Sequence, residues 1–345
     1  KMIEIIYFLI LILSIFLLNK FFINKKLLLS QSGEKHQRFV DKDNVPLIGG
    51  IYFAITFLII FFMLEKYLLS VAILLICILG IFSDLKIIKS PKIRFFFQTI
   101  LIIFFIYLLE LQIVETRLNF FDVILENKIF NFLFVLFCIL ILLNGTNFID
   151  GLNGLVIGHF LMISFIFLKI GIFDQMNFSQ LDKTLFFGIF FIIFIFNLFK
   201  KLYLGDNGSY TISLLFGVLL INFHQNSPQI SPYFIILLLL YPCFENLFSI
   251  IRKFRFNRSP IYPDENHFHQ VLFFYVKKKL NLSDLLSNNL SSSIILIFNA
   301  IIIFFGLKNI YSTNLQIFLI FTFVLVYIFL YIILFNFKYK TVVKK

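Results

Sequence analysis

The chain has 345 residues, 60% of them hydrophobic and 19% aromatic, with a formal net charge of +12 and a mean hydropathy of +0.98. A soluble globular domain is roughly half apolar, so these values exclude one and predict an all-α, multi-pass integral membrane helix bundle, in which each helix satisfies its own backbone in lipid. The positive charge calls for no nucleic acid as partner, because basic loops beside anionic membrane lipids account for most of it.

Apolar runs recur at 2–23, 46–64, 67–82, 95–113, 129–146, 155–172, 184–199, 210–224, 233–251, 291–307 and 315–336. Several are short, so they predict about 10–11 transmembrane helices in a single transmembrane domain spanning 1–345. The first run is too long and too poor in small residues near its end to read as a cleaved signal peptide. Twenty-three of the 30 basic residues fall on one side of this topology, in segments 20–45, 83–94, 200–209, 252–290 and 337–345. The positive-inside rule then puts those segments in the cytoplasm, with the N-terminus out and the C-terminus in. Pro242, three residues before Glu245, predicts a helix broken inside the membrane, with the acid facing a cavity. Cys77, Cys138 and Cys243 have no ligand spacing and read as small buried hydrophobes.

The polar clusters, taken in chain order, all fall on that same cytoplasmic side. Pro46 to Gly50 carries two glycines that allow close helix approach, and Lys42 just before it is a candidate contact for a lipid phosphate or a nucleotide. Ser83-Asp84 precedes the cations Lys86, Lys89, Lys92 and Arg94, of which Lys92 and Arg94 suit phosphate recognition; a basic loop is also what topology alone demands. Asn144 to Gly154 interrupts two apolar runs, and Asn147, Asp150 and Asn153 share one face if the segment is helical, where they suit uracil, ribose or a metal-bound water. In Gly205-Asp206-Asn207-Gly208-Ser209, Ser209 is placed to cap a helix starting at Tyr210, leaving Asp206 on a glycine-flanked loop, free for a metal. His267-Phe268-His269 lacks the i, i+4 spacing of zinc-binding histidines and better suits donation to a diphosphate.

In their order and spacing, Pro46 to Gly50, Asn147 to Leu155, Gly205 to Ser209, and Ser259-Pro260 with Asp264 to His269 resemble the signatures of the polyprenyl-phosphate N-acetylhexosamine-1-phosphate transferases. This is the MraY/WecA family, glycosyltransferase family 4, and the His-x-His form is closer to its WecA-like branch. The resemblance covers about residues 35 to 270 and implies one transferase domain, with site loops at 24–45, 83–94, 147–154, 203–209 and 252–290. It implies transfer of a sugar-1-phosphate from a UDP-N-acetylhexosamine to undecaprenyl phosphate, releasing UMP and starting a lipid-linked surface glycan such as O antigen or capsule. It also implies a Mg2+-dependent enzyme, with Mn2+ as a substitute, in the bacterial cytoplasmic membrane; a homodimer is compatible with it.

By this resemblance Asp84, Asp150 and Asp206 are the catalytic carboxylates, Asp206 and Asp150 the metal ligands, and Asn147, Asn153, His267, His269, Lys92, Arg94 and Lys42 the substrate contacts. Three departures stand out: Ser83 and Asn153 where relatives often have aspartate, and Glu265 where an arginine is usual. They leave open a substrate-shifted homologue. The near alternative is the phospho-MurNAc-pentapeptide translocase of peptidoglycan synthesis, whose triple-His loop is missing. A secondary transporter, the alternative of another class, would need polar groups at the midplane and a repeat-related pair of broken helices.

Overall fold

The computed structural model describes residues 2–30, 45–255, 257, 259 and 265–343, with backbone alone at 2–8 and 341–343. The described chain is all-α, and two isolated β-bridges, Leu29 with Pro46 and Leu47 with Tyr203, are its extended pairings. Its helices are α1 (Met2–Lys25), α2 (Gly49–Met63), α3 (Tyr67–Asp84), α4 (Pro91–Leu108), α5 (Asn119–Leu125), α6 (Lys128–Ile149), α7 (Leu155–Ile170) and α8 (Ile172–Gln175). They continue as α9 (Gln180–Leu198), α10 (Gly205–Asn226), α11 (Pro232–Leu238), α12 (Leu240–Arg255), α13 (Phe268–Leu280), α14 (Asp284–Gly306) and α15 (Thr313–Val343). Each predicted apolar run falls on one of these helices or, for 155–172 and 233–251, on two in succession.

Among the described residues six helices, α3, α4, α6, α9, α14 and α15, are long and apolar enough to cross a membrane, and the bent pair α11 and α12 makes a seventh span if counted as one. That is fewer than the 10–11 expected. Part of the difference is physical: α2 has 15 residues and α7 has 16, short of the roughly 20 that a bilayer core asks for, and α10 begins with a polar turn, while the 24-residue α1 falls outside this count. The outer surface is apolar where a soluble protein would be charged. Phe318 is 64% exposed, Phe329 65% and Phe304 62%, an exterior suited to lipid.

The α11–α12 bend is 77° and falls at Leu239. Proline sterics explain it: the ring of Pro242 clashes with a helical carbonyl four residues earlier, that of Leu238, which is where α11 ends. The expected broken helix is therefore present.

The centre of the bundle is α10, buried along most of its length and packed by α2, α3 and α6. Around it, Phe53, Phe57, Phe160, Phe186, Phe190 and Phe216 form a tilted-ring core with centroids 4.6–6.3 Å apart. Two glycines bring α10 unusually close to its neighbours. A Cβ on Gly80 of α3 would lie 2.2 Å from Asn207 Cα, and one on Gly50 of α2 would lie 2.2 Å from the Gly208 nitrogen. This close approach fixes the start of α10 against the end of α3, and so places two acids side by side.

Candidate active site

Asp206 stands in the first turn of α10, a turn earlier than the start expected at Tyr210, and donors from three other helices and from its own converge on it. Ser83 Oγ donates to its Oδ2 at 2.5 Å, Arg94 Nη1 at 2.8 Å and Tyr210 OH at 3.3 Å, while Asn147 Nδ2 donates to Oδ1 at 2.7 Å. Arg94 also donates to Ser83 Oγ at 2.8 Å. The Asp206 side chain is still 21% exposed, so a ligand can reach it.

Asp84, a catalytic candidate from the sequence, also has a structural part. Its Oδ1 accepts from the Asp206 backbone N–H at 2.9 Å, and its Oδ2 from the Asn207 N–H at 3.0 Å and from Asn207 Nδ2 at 2.5 Å. A carboxylate from the end of α3 thus caps the N-terminus of α10, satisfying orphan donors and meeting the positive end of the helix dipole. Ser209, the cap expected from sequence, turns its hydroxyl back to the Asp206 carbonyl at 3.2 Å and receives Asn147 Nδ2 at 3.1 Å. Glycine is required at 205, where φ is +73° and a Cβ would meet Asp84 Oδ2 at 2.8 Å.

The Asn144–Gly154 stretch is helical only to Ile149, and Asp150 ends α6 with ψ near 46°. Asn147, Asp150 and Asn153 therefore do not share a helical face. Asn147 points to Asp206. The buried Asn153 faces away from the acids, its N–H bonded to Asn288 Oδ1 at 2.7 Å and its Nδ2 to Asn289 Oδ1 at 3.4 Å, which ties the turn to α14. The helix stop sets this direction: Gly154 at φ +73° reverses the chain, and its N–H donates to Asn197 Oδ1 at 2.5 Å.

Asp150 accepts no hydrogen bond from any described residue. The residue is half-buried, and desolvation first, then the charges of Asp206 and Asp84, hold its carboxyl well above the usual carboxylate range. Three acids so close, with Arg94 as the guanidinium bonded to one of them, leave a local excess of negative charge. Among the described residues no three His, Cys, Asp or Glu side chains converge into a ready-made metal cage. The donor set instead fits a hard cation such as Mg2+, which is held by one or two carboxylates and completes its shell with water and phosphate oxygens. Asp206 and Asp150 are the residues that fit.

The opposite wall comes from α12, α13 and α15. His267 Nδ1 lies 2.9 Å from Glu245 Oε1, and its ring packs on Phe148 with centroids 5.1 Å apart, beside Asn147 in sequence. His269 is parallel to His267 at 5.7 Å and sits over Gly151, where a Cβ would meet Nε2 at 2.4 Å. Both ring nitrogens of His269 are buried without a partner among the described residues. Burial, reinforced by His267, pushes its pKa down to about 3, so it is neutral at physiological pH. Glu245, expected at an open cavity, is instead enclosed by His267, Tyr327 and the Phe268 N–H.

Lys92 is exposed at the start of α4, away from the hydrogen-bond network that holds Arg94. Lys42 lies outside the described residues, as do most of the 24–45 loop and residues 260–264. Sequence reasoning gives no role to Tyr210, Gly80, Phe148 and Tyr327, and names Ser83 only as a departure whose role is open. A signal existed for Tyr327: Phe323, Tyr327, Tyr331, Phe335 and Tyr339 repeat at i, i+4 along α15 and stack at 4.5–6.4 Å.

Fold and site together define a multi-pass membrane protein with an acidic, partly open polar site at one end of its helix bundle. Residues 66–224, just under half of the chain, match the family model of glycosyl transferase family 4, and over that segment the chain is similar to those transferases. The matched segment holds Asp84, Arg94, Asn147, Asp150 and Asp206, while Glu245, His267 and His269 lie beyond it. No curated protein matches the chain.

Proposed function

We propose that the protein transfers an N-acetylhexosamine-1-phosphate from a UDP-sugar to undecaprenyl phosphate, as a Mg2+-dependent enzyme of the WecA-like branch. The observation that carries this reading is Asp206: a partly exposed carboxylate at a helix N-terminus, fixed by four donors and flanked by the unpartnered Asp150. Such a pair is suited to a diphosphate and a divalent cation, and the resemblance of the ordered motifs to that family supplies the sugar and the lipid.

The chemistry asks mainly for position and charge compensation. An oxygen of the lipid phosphate attacks the β-phosphorus of the UDP-sugar and forms a new P–O–P link. The bond from that phosphorus to the oxygen bridging the α-phosphate breaks, and UMP leaves with that oxygen. Mg2+, when bound, would screen the phosphate charge. Asp206 and Asp150 are the groups that would hold it, Asn147 keeps Asp206 oriented, and Arg94 is the cation within reach of incoming phosphate. Asp84 acts one step back, by fixing the turn that carries Asp206. Direct attack needs no covalent enzyme intermediate, and the lipid phosphate is already mostly dianionic, so no strong general base is required.

The matching location is the bacterial cytoplasmic membrane, N-terminus out and C-terminus in, with the site facing the cytoplasm and the product feeding a surface glycan. The 77° break is the one transporter-like feature, and it has no repeat-related counterpart among the described residues. Purified protein in detergent with undecaprenyl phosphate, Mg2+ and a panel of UDP-N-acetylhexosamines should release UMP with at least one sugar. Release from none would contradict the proposal.

A further inference from the structure

Glu245 is 0% exposed, yet it lies on α12 in the bent apolar pair, where an unpaired carboxylate would cost several kcal/mol. Three elements supply it with donors. Its Oε1 accepts from the Phe268 N–H at 3.2 Å and faces His267 Nδ1 at 2.9 Å, and its Oε2 accepts from Tyr327 OH at 2.5 Å. A carboxylate bonded this way is acceptor only, so the proton between it and His267 sits on Nδ1. His267 Nε2 then has no hydrogen-bond partner among the described residues, while the ring is held between Phe148 at 5.1 Å and His269 at 5.7 Å.

We propose that Glu245 is the positioning residue for His267: it fixes the Nδ1–H tautomer and the ring direction, leaving the Nε2 lone pair to accept from a hydroxyl group of the nucleotide-sugar. This rests on the reading of the site given above. Tyr327 completes the arrangement by occupying the second carboxylate oxygen, so that Glu245 cannot rotate to a different partner. The result is a carboxylate–histidine pair in which a buried charge serves direction, and a partner this close typically changes activity by 10–100-fold when removed.

The test is histidine nitrogen NMR on protein labelled with 15N-histidine, His267 being assigned by its loss in His267→Gln, together with steady-state kinetics. Wild type is expected to show His267 protonated at Nδ1. Glu245→Leu should move His267 toward the Nε2–H tautomer that free imidazole favours and lower kcat/KM by about tenfold or more. Glu245→Gln, which keeps an acceptor in place, should retain the wild-type tautomer and recover most of that loss. Tyr327→Phe should lower kcat/KM less than Glu245→Leu and provides the reading if the leucine variant does not fold. An unchanged tautomer or unchanged kinetics in Glu245→Leu, or unchanged kinetics in Tyr327→Phe where that variant stands in, would overturn the proposal. Full nucleotide affinity in His267→Gln would instead sink the underlying reading of the site, and this inference with it.

Discussion

The two walls of the site are built on opposite electrostatic plans. The wall from α3, α6 and α10 brings Asp84, Asp150 and Asp206 together with Arg94 bonded to one of them, and Asp150 has no hydrogen-bond partner among the described residues. The wall from α12, α13 and α15 sets its one acid, Glu245, against a histidine, a tyrosine hydroxyl and a backbone N–H. The first wall holds an acid with no hydrogen-bond partner among the described residues; the second surrounds its acid with donors and leaves the His269 ring nitrogens unpartnered instead. A site divided in this way separates charge compensation from orientation, and the two can be broken separately.

The largest effect is expected from Asp206→Asn, which removes the charge on the first wall while keeping the shape. Sugar-phosphate transfer should fall by about 10³-fold, the scale of losing a main electrostatic group, with the protein still monodisperse by size exclusion. A loss below tenfold would move the chemistry off this wall.

Asp150→Asn should cost about 10²-fold in rate and also change the pH dependence of stability. Because the folded protein holds this carboxyl above its ordinary range, its stability contribution is full below the unfolded pKa and is lost as pH rises through the folded one. Thermal unfolding without divalent cations should therefore show wild type weakening with rising pH and the asparagine variant weakening less. Identical profiles would show that Asp150 is not the uncompensated acid.

The second wall is probed without touching charge by Gly151→Ala. The added Cβ would press on His269 Nε2, and overpacking of this kind costs about 1–3 kcal/mol, so Tm should drop and transfer should slow by about tenfold. His269 gives that wall a pH signature of opposite sign. With its pKa pushed down to about 3, it contributes stability above the ordinary histidine value and loses it as pH falls from there toward 3, and His269→Gln should flatten that acid limb. The smallest effect is expected from Asn153→Ala, which loses the side-chain hydrogen bond to Asn289 of α14, worth about 1 kcal/mol, and keeps the backbone one to Asn288, leaving the rate nearly intact. A large rate loss at normal stability would return Asn153 to the site.

Much of this was legible in the sequence because apolar runs and their interruptions report directly on burial. The helices fall where those runs lie, the break before Glu245 follows from Pro242, and the clustering of Asp84, Asn147 and Asp206 follows from the topology that puts their loops at one end. Directions were not legible. Nothing near Asp84 in sequence says that it caps a helix starting 121 residues later, since that depends on Gly80 letting α10 approach. Asn153 carries the same amide as Asn147 yet faces α14, because the helix stops at Ile149 and the Gly154 turn rotates it away. Glu245 read as an acid in a cavity because its partner Tyr327 sits 82 residues on, inside an apolar run.

The most direct measurement follows the β-phosphate. UDP-N-acetylhexosamine radiolabelled at that phosphorus is incubated with the purified protein, Mg2+ and undecaprenyl phosphate, and the label is followed between the aqueous and lipid phases. Transfer of a sugar-1-phosphate carries the label into the lipid phase with one UMP released per label moved, and Asp206→Asn abolishes both. Label remaining in the aqueous phase as UDP, or moving equally well in Asp206→Asn, would contradict the account.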